Sequence, residues 1–399
     1  MSHETSRSLT PGVIDQSLTP GVIDHPRGGD QPISRRSFLS VCAVAAALAA
    51  PALASCRSEA GDALIKGQRQ FTDDAGREHT IPTPDKLTRV YFTSGLAQLF
   101  VMTLKPEAMG ATCSRFSEED MKYLPNMQGL EYLGAVETGQ MDVEAVMQAG
   151  IQLIFSISSI ELVEANIEEA DNIEKLSGIP VILIDGSTER ISEAYRKLGD
   201  ILGCEERASE LAAYCEDVVA RVEAAVGDVP EDERVSVYYA EGPQGLQTEP
   251  ANSQHAWSFV TAGGKVVAEV DWFDATGMSD VSLESVIGWN PEVIVTWDSD
   301  IRGGADDIIR TSKDWAVIDA VRNGRVYAMP NIPVAWVDRP MACNRFLGVQ
   351  WLANMFYPDR YDVDMVEVAQ EYYKLFFGCD VDAETMKGFL GASYPPYRG

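Results

Sequence analysis

The sequence predicts an α/β fold of two Rossmann-like lobes joined by a single long connecting helix, with a ligand cleft between the lobes. Three observations carry this expectation. Short β-branched runs alternate with helix-like stretches in two groups, and such alternation implies parallel sheets flanked by helices. One long helical stretch separates the groups. A segment of the first group returns 140 residues later in the second with its spacing kept. The length agrees, because 399 residues exceed what one hydrophobic core usually organises.

Residues 1–55 read as an export signal, outside the fold. Ser34-Arg35-Arg36-Ser37-Phe38-Leu39 sets an arginine pair before an alanine-rich apolar run, Phe38 to Ala54, that Pro51 interrupts. The run is short for a span of about 20 residues and is charged on its N-terminal side, so it reads as a signal core and not a transmembrane helix. Arg35 and Arg36 look like a twin-arginine signal. Leu53-Ala54-Ser55-Cys56 resembles a bacterial lipoprotein box, which would leave a lipidated Cys56 at the mature N-terminus. The alternative is an ordinary cleaved signal with a chance cysteine. Upstream, Ser8–Asp15 and Ser17–Asp24 repeat one octapeptide without change, in a part that is discarded. Residues 56–68 form a polar tether.

Lobe one is placed at 69–200, with strands expected over Arg89 to Thr93, Leu153 to Ile157 and Val181 to Ile184. The connector is placed at 201–229. Its helical part, Glu206 to Ala225, carries Leu211, Tyr214, Cys215, Val218, Val219 and Val222 at spacings of three and four, one buried stripe, and Gly227 with Pro230 ends it. Lobe two is placed at 230–399, with strands over Val235 to Ala240, Val293 to Trp297 and Val326 to Met329. The repeated segment is Asp142-Val143-Glu144-Ala145-Val146-Met147 before Leu153-Ile154-Phe155, matched by Ser282-Leu283-Glu284-Ser285-Val286-Ile287 before Val293-Ile294-Val295. Asp142 and Ser282 can cap the two helices, which puts Glu144 and Glu284 in the first turns. An acid there favours the helix dipole, which accounts for either glutamate alone.

Composition narrows the function. Acids outnumber bases 61 to 32, a net charge of −29, whereas a nucleic-acid binder needs the opposite surplus. Residues 1–55 hold four acids and four bases, so the whole excess belongs to the exported part. Four scattered histidines disfavour a histidine-built metal cage, and no metal site is expected. Beyond Cys42 and Cys56, five cysteines (Cys113, Cys204, Cys215, Cys343, Cys379) include no Cys-x-x-Cys pair and allow at most two disulfides. No nucleophile elbow, phosphate loop or His-Glu-x-x-His is present, so neither catalytic residues nor a cofactor are expected.

Several fragments carry a family resemblance: Asp74-Ala75-Gly76-Arg77 and Ile81-Pro82, Gly178-Ile179-Pro180-Val181, Ala262-Gly263-Gly264, and Trp315 followed by Ala320 to Tyr327. In their order over residues 70–375, the chain resembles the substrate-binding lipoproteins of ATP-driven importers for iron-siderophore complexes, haem and cobalamin. The resemblance implies an exported protein, lipid-anchored on the outer face of the cytoplasmic membrane, that delivers an iron chelate to an ABC permease and its ATPase. It also implies that Glu144 and Glu284, one per lobe, meet arginines on the two halves of that permease, and that the lobes close only slightly. Cobalamin, haem and an oxyanion such as molybdate stay open as cargo, as does a sensing role without transport. Binders of cobalamin place a tryptophan before the second glutamate, where this chain has Gly277-Met278-Ser279-Asp280.

Open α/β sheets bind ligands beyond the carboxyl ends of their strands. Expected liners are Thr93, Ser94, Arg115, Phe116, Ser158 and Ser159 in lobe one. In lobe two they are Tyr239, Glu241, Trp257, Trp272, Phe273 and the loop Trp336-Val337-Asp338-Arg339-Pro340, with core or lobe packing an equal alternative for most of the aromatics. Trp315 and Trp351 are assigned to packing. Arg339 is expected at the start of a helix over Met341 to Phe356, a good anion seat, with Arg345 one turn later; the competing role is an ion pair with Asp338.

Overall fold

The chain enters its described part on an antiparallel hairpin, β1 (Gln68–Thr72) and β2 (Glu78–Pro82). The structure is a computed structural model that describes residues 66–271, 277–297 and 303–391. Arg35, Arg36, Cys56, Trp272 and Phe273 lie outside the described residues. Asp73 organises the hairpin turn: it accepts from the backbone of Ala75 and Arg77, from the Arg77 and His79 side chains, and from Leu183 N across the sheet. Burial would raise its carboxyl, but His79 and the backbone donors hold it down to about 2.

Lobe one contains β3 (Val90–Phe92), α1 (Gly95–Leu104), α2 (Val143–Gln148), β4 (Leu153–Ser158), α3 (Glu164–Ser177), β5 (Val181–Asp185) and α4 (Ile191–Leu202). The strands pair in parallel in the order β3-β4-β5. Nearly every strand residue is buried, because helices cover both faces of such a sheet, and this is why the strands read as continuous apolar runs. Then comes α5 (Glu205–Val226), within one residue of the expected bounds at each end. Leu211, Cys215, Val218 and Val222 of its stripe are fully buried.

Lobe two follows with β6 (Ser236–Ala240), β7 (Gln247–Thr248), α6 (Trp257–Thr261), β8 (Lys265–Val266), β9 (Ser279–Asp280), α7 (Leu283–Trp289), β10 (Val293–Thr296), α8 (Asp306–Thr311), α9 (Asp319–Arg322), β11 (Val326–Ala328) and α10 (Asn344–Phe356). Its main sheet is parallel in the order β11-β10-β6-β8, and β7 pairs with β9 in a small antiparallel sheet. Side-chain parity divides the main sheet into two cores. Tyr238, Ala240, Ile294 and Val326 pack with Val286, Ile309 and Trp315 on one face, while Val237, Tyr239, Val293 and Val295 join the large core that also holds the stripe of α5. The connector packs on α1 and α4 of lobe one and on α6 and α10 of lobe two.

The two helices of the repeat have matching structures. Asp142 Oδ1 accepts from Ala145 N at 2.9 Å and Ser282 Oγ from Ser285 N at 3.1 Å, as the capping expectation requires. Val146 and Val286 are fully buried, Glu144 and Glu284 are exposed, and Met147 and Ile287 stand in solvent one turn further on. The final helices, α11 (Met365–Tyr372) and α12 (Ala383–Leu390), turn back on lobe one. There Phe389 meets Tyr123 edge-on at 5.0 Å and Phe376 approaches Tyr195 at 6.4 Å, while the Leu375 carbonyl accepts from Arg207 of the connector. Lobe two therefore grips lobe one from behind as well as across the connector.

The helix expected from Met341 begins at Asn344. Its Gly348 lies against the backbone of Trp336 and Val337, so closely that a Cβ would overlap the Trp336 carbonyl oxygen. This contact sets the depth of the loop that carries Arg339. Gly348→Ala is expected to cost about 1–3 kcal/mol through overpacking, read as a lowered midpoint of denaturant unfolding, and to displace that loop.

Candidate functional site

A cavity of about 650 Å³ lies where the carboxyl ends of β3 and β4 face lobe two. Lobe one supplies Ser94, Gly95, Gln98, Ser114, Phe116, Glu137, Thr138, Ser158, Ser159 and Asn166, among others; lobe two supplies Gln254, His255, Val334, Arg339, Pro340 and Met341. The lobe-one wall mixes hydroxyls, amides and the Glu137 carboxylate with the apolar side chains of Leu96, Leu99, Met102, Phe116, Ile157 and Ile160, near the N-terminus of α1. Ser94 caps that helix, accepting from Ala97 N at 3.2 Å. Gln98 uses its carbonyl oxygen on the backbone N–H groups of Cys113 and Ser114, which leaves its NH₂ group as the donor.

Behind the lobe-two wall is a buried charge cluster. Asp338 has no solvent exposure and takes donors from two sides, Arg345 Nη2 at 2.7 Å and His255 Nδ1 at 2.9 Å. Arg339 reaches His255 Nε2 at 2.7 Å and both Glu241 Oε1 and Glu249 Oε1 at 3.1 Å, with its guanidinium 5.1 Å from the Trp297 ring centre. A guanidinium only donates, so Nε2 of His255 accepts and Nδ1 carries the proton toward Asp338. Arg345 completes the cluster by donating to the Gln254 carbonyl and, across the lobe boundary, to Thr188 Oγ1, each at 2.8 Å.

Burial would raise the Asp338 carboxyl, yet His255, Arg345 and Arg339 hold it well below the usual carboxylate range. Glu241 goes the other way. Burial pushes it up to about 9 against the pull of Arg339, and the neighbouring Glu249 and Asp338 add like-charge repulsion. Its Oε2 is buried with no hydrogen-bond partner, which suits a neutral acid better than a carboxylate. With Glu241 protonated, the formal charges of two carboxylates and two guanidiniums cancel.

Of the residues singled out in the sequence, Ser94, Phe116, Ser158, Ser159, Arg339 and Pro340 line the cavity. Thr93 lies just beneath, bonded to Ser156. The others are elsewhere, each for a physical reason. Arg115 is exposed and stacks on Tyr132 at 3.8 Å. Tyr239 has the wrong strand parity and packs on Phe259 at 4.8 Å. Trp257 meets Phe346 edge-on at 5.8 Å. Trp336 is buried, its Nε1 donating to Tyr373. Glu241 and Arg345 are enclosed in the charge cluster. Arg339 does not start a helix: it lies five residues before α10 with φ +37° and is engaged with acids, the competing role, as well as facing the cavity. Trp315 and Trp351 pack as assigned. The five cysteines are all free thiols.

The liners Gln98, Ser114, Glu137, Thr138, Asn166, Gln254 and His255 were not anticipated. The turn glycines Gly134 and Gly139, with φ of +80° and +66°, bracket Glu137 and Thr138 and were the available signal. His255 gave none, since its partners lie more than eighty residues away.

A cavity between two α/β lobes, walled by strand-end loops, is the geometry of a solute binder, and the comparisons agree. The profile of the periplasmic binding protein family matches residues 121–333, more than half of the chain. The chain belongs to this family. Among solved structures, the ABC transporter solute binding protein of Sulfurospirillum deleyianum is 28% identical with a TM-score of 0.72, covering 80% of this chain and 98% of that one. The molybdate-binding protein MolA of Haemophilus influenzae is 32% identical over 160 residues, 38% of this chain and 41% of its own length; its molybdate-bound structure has a TM-score of 0.63 at 21% identity, over 79% of this chain and 99% of that one. An uncharacterised ABC transporter substrate-binding lipoprotein of Bacillus subtilis, YvrC, is 22% identical over 336 residues, 79% of this chain and 96% of its own length.

The Glu241 carboxyl makes the stability of this binding protein depend on pH. Its folded pKa lies above the unfolded value of about 4.3, so the folded state holds a proton that the unfolded chain releases, and stability falls as pH rises from about 4.3 toward 9. Glu241→Gln, which mimics the neutral acid, is expected to flatten that decline and to stabilise the protein by about 1–3 kcal/mol at pH 8, read from melting curves at pH 5 and pH 8.

Proposed function

We propose that this protein is the exported, lipid-anchored solute-binding component of an ABC importer, and that it captures a small metal-containing oxyanion of the molybdate class. The observation that carries this reading is the make-up of the cavity. Hydroxyls of Ser114, Thr138, Ser158 and Ser159 and the amides of Gln98 and Asn166 line it together with the start of α1 and Arg339, interspersed with apolar side chains such as Leu99, Met102 and Ile157. A small oxyanion is held by many short donors and a helix terminus, and needs little net positive charge from the protein. The likeness to a protein named for molybdate binding supports the same class. An iron chelate is the second reading, favoured by the volume: about 650 Å³ exceeds what one tetrahedral oxyanion fills and lies in the range of drug-sized ligands.

Delivery is assigned to Glu144 and Glu284, which meet the permease, one from each lobe. Their helices α2 and α7 share caps, burial and exposed glutamates, so a partner built of two related halves meets the same anionic knob twice. Cys56 supplies the anchor to the membrane, and Arg35 with Arg36 the route of export.

Isothermal titration with molybdate is expected to give saturable binding, weakened about tenfold or more in the Ser158→Ala, Ser159→Ala double variant. Silence toward molybdate, with an iron charge-transfer band in protein purified from its own cells, would transfer the assignment to the chelate. Glu144→Lys or Glu284→Lys is expected to abolish uptake while soluble binding persists, and normal transport by the double reversal would remove the docking role.

A further inference from the structure

The cavity contains an anion of its own. Glu137 stands in a turn closed by Gly139 N–H on the Val136 carbonyl at 2.8 Å, and Val136 N–H fastens the turn to the Thr93 carbonyl at the end of β3, also at 2.8 Å. This places the Glu137 carboxylate at the first turn of α1, where Gly95 N–H donates to Oε1 at 3.0 Å. A Cβ at position 95 would press on Ser114 Oγ at 2.9 Å, while 3.6 Å from Glu137 Oε1 it would make only ordinary contact. The Glu137 side chain is solvent-exposed, so packing does not hold it in place.

Helix α1 has no acid in its own first turn, and the charge that answers its dipole comes from a loop 42 residues further on. A helix that needed only a cap already has one in Ser94. The borrowed carboxylate therefore sits where an incoming anion would find its best donors. We propose that Glu137 is a tethered stand-in for the ligand, occupying the anion seat of the empty protein and displaced when a soluble anion binds. The proposal rests on the anion reading of the cavity. Its consequence is an affinity threshold: the carboxylate lowers the apparent affinity of every anion for this seat by the same factor, so only a ligand that outmatches it enters. The surroundings make co-occupancy costly. Glu169 lies one turn beyond the cavity-lining Asn166 on α3, and burial, then the charge of Glu137, raise its carboxyl.

Glu137→Gln keeps an acceptor for Gly95 N–H but removes the competing charge. Titration calorimetry with molybdate is expected to show the variant binding about tenfold more tightly than the wild type, although the helix loses the charge that answers its dipole. The Gly95 amide resonance should move on adding molybdate to the wild type, as its hydrogen bond passes from the side chain to the ligand. Tight wild-type binding that the variant leaves unchanged or weakens would overturn this proposal alone. Absence of molybdate binding in both proteins would overturn it together with the oxyanion reading.

Discussion

Asp338 is the group on which the geometry of the cleft depends. A carboxylate with no solvent exposure is stable only where fixed donors replace its water, and here they come from Arg345 on α10 and from His255 in the loop before α6. Each donor has a second duty. Arg345 spans the lobe boundary to Thr188, and His255 accepts from Arg339, whose positive φ is held in place by its bonds to Glu241 and Glu249. One buried acid thereby fixes the lobe-two wall, its distance from lobe one and the orientation of the guanidinium that faces the cavity. Removing either partner would leave an uncompensated charge in the interior, a far larger loss than the net value of the pair.

The two walls have different tasks. Lobe two contributes a rigid and nearly neutral backdrop, because its guanidiniums are already matched by acids. Lobe one contributes the adaptable part: serine and threonine hydroxyls that rotate to suit an acceptor, and a helix terminus that favours negative charge. The −29 of the whole chain does not oppose an anionic solute at this depth, since a screening length of about 8 Å at physiological salt hides most surface charge from the cavity.

Much of the fold was legible in the sequence. The six main strands fall within a residue or two of expectation because strands buried on both faces must be apolar and β-branched throughout. The connector and the caps of α2 and α7 were legible for the same reason, as each depends on residues within one or two turns. The site was legible only in part. Ser94, Ser158 and Ser159 follow their strands directly, and the strand-end rule finds them. Tyr239 and Trp336 take the packing role and not the cleft, because which of the two an aromatic faces depends on parity and on Phe259 and Tyr373, far along the chain. Arg345 is enclosed by three segments that only the tertiary fold brings together. Glu137 escaped notice because its relevance arises from a hydrogen bond across 42 residues.

The likeness of α2 and α7 has a further consequence. Cap, exposed glutamate, buried valine and exposed apolar residue recur in the same order on both, so the molecule carries an approximate internal dyad in the chemistry of these two helices. A partner reading only that chemistry would face an orientational degeneracy, since a half-turn of the binding protein presents the same pattern. Any preference for one orientation must then come from what breaks the dyad: Met147 in place of Ile287, and the C-terminal helices that lie over lobe one and have no counterpart on lobe two among the described residues.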